Sequence, residues 1–175
     1  LYGRDRVSPR LHLVSGALVA ASGALSAFFV TLANAWMNHP AGFALLSGKA
    51  TGVDPVAAMF PPGWGNQVLH VLLSCYAATG LAVAGIHAWF LRRQPGHPFH
   101  RAALGIALAV GGAAALLQPL SGDLSARGLA LHQPVKLAAM EGHFQTMRGA
   151  PLHLGGIPDA DAAVTRWSLP IPRGL

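Results

Sequence analysis

The sequence predicts an all-α membrane protein: three transmembrane helices, then an external loop region that carries an amphipathic helix. Three observations predict it. The 175 residues are 53% hydrophobic and only 10% Asp, Glu, Lys and Arg, where a soluble domain carries roughly 25% charge; mean hydropathy is +0.44. Three apolar runs each approach the ~20 residues that a hydrocarbon core requires. The arginines fall on one side of that pattern. Arg4, Arg6 and Arg10 precede the first run and Arg92, Arg93 and Arg101 follow the second, while the loop between those runs has Lys49 as its one basic residue. By the positive-inside rule, the first ten residues and the 92–101 turn are cytoplasmic, and residues 41–65 and 122–175 lie outside.

The elements follow in order. The first span is expected over residues 11–34. No Asp, Glu, Lys or Arg occurs between Leu11 and Gly48. Ser15, Ser22 and Ser26 share one helical face, and Gly16, Ala20, Gly23 and Ala24 allow a neighbouring helix to approach. Trp36 suits the membrane interface and Pro40 stops the helix. Residues 41–65 read as a loop, because Pro55, Pro61, Pro62, Gly63 and Gly65 oppose a spanning helix. The second span is expected over 66–91, flanked by Trp64 and Trp89. The third is expected over 102–120, with Pro119 as its outer boundary. Residues 1–121 thus form the transmembrane region and 122–175 an external segment. Cys75 is the single cysteine, so no intrachain disulfide forms. The net charge of +6 is spread without a basic block, which sets nucleic acid aside as a partner. The chain opens Leu1-Tyr2-Gly3-Arg4 without an initiator Met and ends just after Pro170-Ile171-Pro172, so it reads as an excerpt of a longer protein.

Few residues can carry chemistry. His70 stands about one turn inside the outer end of the second span. An ionisable group there is costly and marks function by default, and imidazole is a usual axial ligand of haem iron. The alternative is a neutral His bonded to a neighbouring helix. His87 lies 17 residues on, roughly 25 Å along the helix, so the two cannot grip one haem. His12 at the inner mouth of the first span, with the serines, draws a polar trail toward Asn34. Such groups either order water for proton transfer or fasten helices together.

Pro134 suits the first turn of a helix. Leu137, Met140, Phe144 and Met147 then recur at helical spacing as an apolar stripe. Lys136 and Glu141 (the one glutamate of the chain) fall about 140° apart around such a helix, one on each side of the stripe. A flat apolar molecule with oxygens at both ends could lie between them; equally, they could border a buried face. CxxC, CxxCH, Walker, GxSxG and HExxH patterns are absent, and the spacings of His97, His100, His132, His143 and His153 form no convincing zinc set.

At four stretches the chain resembles subunit I of the cytochrome bd-type quinol oxidases. Gly3-Arg4-Asp5-Arg6 leading to His12 is similar to that family's entry to its fourth span. Ser26 through Asn34-Ala35-Trp36-Met37-Asn38-His39-Pro40 resembles a second motif, with Asn38 in place of Gln. Val68-Leu69-His70, Tyr76 and Gly85-Ile86-His87-Ala88-Trp89-Phe90 resemble the fifth span. Gly122-Asp123 and Gln133 through Lys136-Leu137-Ala138-Ala139-Met140-Glu141 resemble the start of the external quinol loop. His132 departs from the apolar or aromatic residue expected there.

The resemblance implies a central piece of a larger helical-bundle oxidase subunit. The parent would oxidise quinol at the outer face of the bacterial cytoplasmic (inner) membrane and reduce oxygen to water. It implies that His70 ligates the iron of a low-spin haem b. It implies that Asp123, Gln133, Lys136 and Glu141 bind quinol, with Lys136 and Glu141 catalytic, and that His12, Ser26 and Asn34 lie along a proton path. A high-spin haem b and a haem d would take ligands from elsewhere in the subunit, as would the Met that completes the low-spin haem. The implied partners are the rest of subunit I, subunit II with or without a small accessory subunit, and membrane lipid. These residues alone are expected to be inactive. Two alternatives stand beside this reading: a b-type cytochrome anchor of a membrane dehydrogenase, and a haem-free structural or transport subunit.

Overall fold

In the computed structural model, residues 3 and 5–174 are described. Three helices are long and apolar enough to cross a membrane. The first, α1 (Pro9–Asn38), starts where Ser8 Oγ accepts the Leu11 N–H and Pro9 occupies the first helical position, which satisfies one of the otherwise unpaired amides of a helix start. It stops two residues before Pro40, and Trp36 Nε1 donates to the Ala41 carbonyl at 3.0 Å.

The segment predicted as a loop carries short structure of its own. Strands β1 (Ala44–Leu46) and β2 (Lys49–Thr51) form a hairpin around Ser47-Gly48, both at positive φ, as a two-residue hairpin turn requires. Helix α2 (Pro55–Met59) is capped by Asp54 Oδ1, which accepts from Val56 N and Ala57 N. Gly42 binds the loop to α2: its carbonyl accepts from Asp54 N at 2.7 Å, and a Cβ there would lie 2.5 Å from Ala58 N. Helix α3 (Trp64–Arg93) ends with Arg92 and Arg93 in its last turn, where cations favour the helix dipole; Arg93 also lies 4.0 Å over the Trp89 ring.

Helix α4 (Pro98–His132) does not stop at Pro119, where the sequence placed the outer boundary of the third span: the proline lies inside the helix, which continues for thirteen further residues to His132. A proline removes one N–H, here the one that would reach the Ala115 carbonyl. Beside it Ser121 Oγ donates to the Gln118 carbonyl, and Ser125 Oγ and Asn66 Nδ2 donate to the Ser121 carbonyl.

The chain divides into two compact units, Leu1–Ser125 and Ala126–Leu175. In the first, α1 packs on α3 through Thr31, Leu32 and Ala35, and α3 meets α4 where Gly80 faces Gly111. A Cβ on Gly80 would sit 2.5 Å from Gly111 Cα and 3.1 Å from the Ala107 carbonyl. The sequence pointed to the small residues of α1 for close approach, yet Cβ atoms on Gly16 and Gly23 would meet nothing within 4 Å. Leu13, Val19 and Leu116 are at least 70% exposed, as expected of helices whose surroundings are lipid and other helices.

In the second unit, helix α5 (Pro134–Met140) begins at the predicted proline but holds only seven residues. Gly142 at φ 67°, with His143 N donating to the Ala138 carbonyl and Gly142 N to that of Ala139, closes it in a Schellman motif. The apolar stripe is therefore not helical beyond Met140. Met140, Phe144 and Met147 are exposed, and Leu137 is half-buried. Two antiparallel pairs follow, which the sequence reading did not foresee. Strand β3 (Leu152–Leu154) pairs with β6 (Leu169–Ile171), and β4 (Ile157–Asp159) with β5 (Val164–Arg166). The Ala162 amide and then the Arg166 guanidinium, 2.8 Å away, hold the Asp159 carboxyl below its ordinary range.

Replacing Gly80 by Ala drives a methyl into the α4 backbone and should destabilise the helix pair by about 1–3 kcal/mol. Gly85→Ala, whose Cβ meets nothing within 4 Å, is the control. Thermal unfolding in detergent should separate them; equal unfolding temperatures would place the close contact elsewhere.

Candidate functional site

The N-terminal half of α3 presents Asn66 and His70 one turn apart, toward α4. Along α4, Gln118, Ser121 and Ser125 fall at i, i+3 and i+7, one face of a helix. The two faces interlock. Asn66 Nδ2 donates to Ser125 Oγ at 2.6 Å, His70 Nδ1 lies 2.8 Å from Ser121 Oγ, and Gln118 Nε2 lies 3.0 Å from His70 Nε2. A Cβ on Gly122 would lie 3.6 Å from the His70 ring, so the ring rests against α4 where no side chain intervenes.

Both ring nitrogens of His70 thus have polar neighbours on α4. Ser121 Oγ, which donates to the Gln118 carbonyl at 3.0 Å, faces Nδ1, and Gln118 Nε2 lies 3.0 Å from Nε2 and 3.3 Å from Nδ1. A metal-ligating imidazole has one nitrogen held by an outer partner and the other on the metal. Ser121 at Nδ1 fits the first role, and Nε2 would be the ligating nitrogen once the Gln118 amide is displaced. Gln118 Oε1 and Asn66 Oδ1 are buried and have no hydrogen-bond partner among the described residues.

A cleft of about 390 Å³ opens beside this ladder, lined by Thr31, Asn34, Gln67, His70, Val71 and Ser125. The structure thus brings Asn34 to the same cleft as His70. Asn34 also accepts from Asn38 Nδ2, on both its backbone and side-chain oxygens. His12 and Ser26 are not brought there. They lie farther down α1, about 33 Å and 12 Å from Asn34 at 1.5 Å per residue. Ser15 and Ser22 donate to carbonyls of their own helix, which is the fastening use of such hydroxyls.

His87 is engaged at the opposite end of α3. Its Nδ1 is 2.9 Å from His100 Nδ1, and its ring meets Phe99 edge-on. His97 joins the group, its ring 4.7 Å from that of His100. Among the described residues no group of three or more His, Cys, Asp or Glu side chains is arranged to hold a metal ion.

The predicted quinol residues occupy two places. Asp123 is exposed on α4, directly after the glycine that backs the His70 ring. In the second unit Gln133 is the N-cap of α5, Lys136 its third residue and Glu141 its C-cap. Lys136 is exposed and Glu141 half-buried. Both charges oppose the helix dipole, a cation in the first turn and an anion at the end. Each arrangement is unfavourable by on the order of 0.3 kcal/mol, so neither charge is placed for the benefit of the helix.

The model of the family described as cytochrome bd terminal oxidase subunit I matches residues 1–175. The chain belongs to the cytochrome bd terminal oxidase subunit I family. A Bacillus subtilis (strain 168) protein described as a cytochrome bd menaquinol oxidase subunit I is 38% identical, over 100% of this chain and 40% of its own length. Subunit 1 of the Escherichia coli (strain K12) cytochrome bd-II ubiquinol oxidase is 33% identical, over 98% of this chain and 34% of its own. In the solved structure of the bd oxidase from Geobacillus thermodenitrificans, one chain superposes with a TM-score of 0.83 and 39% identity, across 98% of this chain and 40% of that one. The chain thus spans about 40% of the length of these relatives. Membership in this family, together with the three apolar helices, makes it a multi-pass bacterial membrane protein of a respiratory oxidase family. It favours the oxidase reading over the dehydrogenase-anchor and haem-free alternatives.

Gln118, Ser121, Asn66 and Ser125 were missed as site residues by the sequence reading. Their signal was present: three polar side chains at i, i+3 and i+7 where an apolar run was expected to end.

Proposed function

We propose that the chain is the electron-entry region of a respiratory terminal oxidase in the bacterial cytoplasmic membrane, oxidising quinol at the outer face while the parent enzyme reduces oxygen to water. The observation that carries this reading is His70. It stands about two turns from the N-terminal end of α3, with Nδ1 2.8 Å from Ser121 Oγ and Nε2 as the nitrogen that would ligate once the Gln118 amide is displaced. A low-spin haem b at Nε2 would supply one-electron transfer toward the high-spin haem b and haem d, whose ligands would come from the rest of subunit I. Subunit II would complete the complex.

Oxidation of a quinol to a quinone releases two electrons and two protons. Glu141 is the acceptor for a quinol proton, with release outward. Lys136 acts as a point charge that positions the ring. Gln133, the N-cap of the same helix, adds a polar group beside them, and Asp123 on α4 is a further proposed quinol-binding residue. The related proteins carry both menaquinol and ubiquinol in their names, and the charged pair suits the two oxygens of either head group. Oxygen chemistry consumes protons from the inside, and His12, Ser26 and Asn34 mark the proposed route along α1, with water between them.

Three experiments test this reading. With Cys75 replaced by Ser, cysteines at exposed Gln94 and Asp161 should be labelled by an impermeant reagent from opposite membrane faces; labelling of both from one face would invert the topology. In the full-length oxidase, His70→Ala should abolish the low-spin b absorption band while His87→Ala preserves it. A surviving band in the His70 variant refutes the ligand assignment. Glu141→Gln should lower quinol oxidation by about 10²-fold, the low end of what a positioned base contributes, and Lys136→Leu should raise the KM for quinol. Haem content, and oxygen uptake with a donor that reduces the haem directly, should stay unchanged. Full quinol oxidase activity in both variants would return these residues to charged borders of a surface helix.

A further inference from the structure

We infer that Ser121 is a positioning residue for the His70 ligand, setting both the tautomer of the imidazole and its basicity toward iron. The inference rests on the reading of His70 as a haem ligand and adds to it a specific control on the electron-entry potential.

Ser121 is only 2% exposed. Its hydroxyl hydrogen is committed to the Gln118 carbonyl at 3.0 Å and its oxygen faces His70 Nδ1 at 2.8 Å. Rotating the hydroxyl toward Nδ1 would give up that bond to the carbonyl. With iron on Nε2 the imidazole carries its proton on Nδ1, and the serine oxygen, whose own hydrogen is turned to the Gln118 carbonyl, is placed to accept it. An Nδ1–H that donates to oxygen makes imidazole a stronger ligand, and burial strengthens the bond electrostatically. A stronger donor favours the ferric over the ferrous state, so this hydrogen bond lowers the potential of the group that His70 holds.

Gly80 separates this role from mere fastening. It brings the same two helices together ten residues along α3, roughly 15 Å from His70, where a Cβ would lie 2.5 Å from Gly111 Cα.

The test is a redox titration of the low-spin band in the full-length oxidase. Ser121→Ala should retain the band and shift its midpoint potential upward, with haem retention weakened by about 10-fold, the low end for loss of an outer partner. Gly80→Ala should lower thermal stability without moving the potential. An unchanged potential in Ser121→Ala overturns the inference, as does an equal shift in both variants. If Ser121→Ala does not assemble, Ser121→Cys, which keeps a weaker acceptor, should show a smaller upward shift; no shift overturns the inference. His70→Ala, measured alongside, reports on the ligand assignment alone. Loss of the band there with an unmoved potential in Ser121→Ala would sink this inference and leave the haem reading intact.

Discussion

The ladder of hydrogen bonds between α3 and α4 is what the end of the first unit around His70 depends on. In hydrocarbon a polar side chain has no water to turn to, and an unsatisfied group is unfavourable by several kcal/mol. Asn66 and His70 must therefore find partners on a neighbouring helix, and Gln118, Ser121 and Ser125 supply them. Deeper in the unit the same two helices touch at Gly80 and Gly111, where neither position has room for a Cβ. A close backbone crossing below and a polar lattice above leave α4 little freedom to slide. At the level of the ladder His70 faces α4, where Ser121 and Gln118 meet its ring nitrogens.

The same lattice flanks Pro119, which α4 passes through unbroken. Read locally, a proline after an Ala, Gly and Leu run is a helix end. Ser121 and Ser125 bond the Gln118 and Ser121 carbonyls on either side of it, and Asn66 adds a bond from a residue 55 positions earlier. Nothing near Pro119 in sequence announces that last contribution. The three long helices were legible because their signal is local: apolar runs free of charge, bounded by arginine, tryptophan and proline. His70 was legible for a similar reason, as an ionisable side chain where few are tolerated. Its partners were not, because the nearest in sequence, Gln118, lies 48 residues away.

The second unit shows the opposite balance. Its helix start at Pro134 was legible, but the recurrence of Leu137, Met140, Phe144 and Met147 argued for a longer helix than exists. Gly142 overrides the periodicity, because a glycine at the position after the cap accepts positive φ and lets two amides fold back onto the last carbonyls. The hairpins were illegible for another reason. Each strand has three residues, too few for an alternating pattern to declare itself.

The residues that fit their local surroundings worst cluster at the candidate site. Gln118 Oε1 and Asn66 Oδ1 are buried without hydrogen-bond partners among the described residues, a penalty of about 1–3 kcal/mol each, and both belong to the ladder around His70. Lys136 and Glu141 oppose the dipole of a seven-residue helix, where Gln at both positions would remove the conflict. A fold tuned for stability alone would have little reason to keep four such features. An amide that meets the imidazole with one atom while its other polar atom goes unpaired is poorly anchored, so turning it away from the ring gives up the few bonds of one side chain. Ser121, by contrast, is buried and bonded on both sides, so its contact with the ring is the more firmly held of the two.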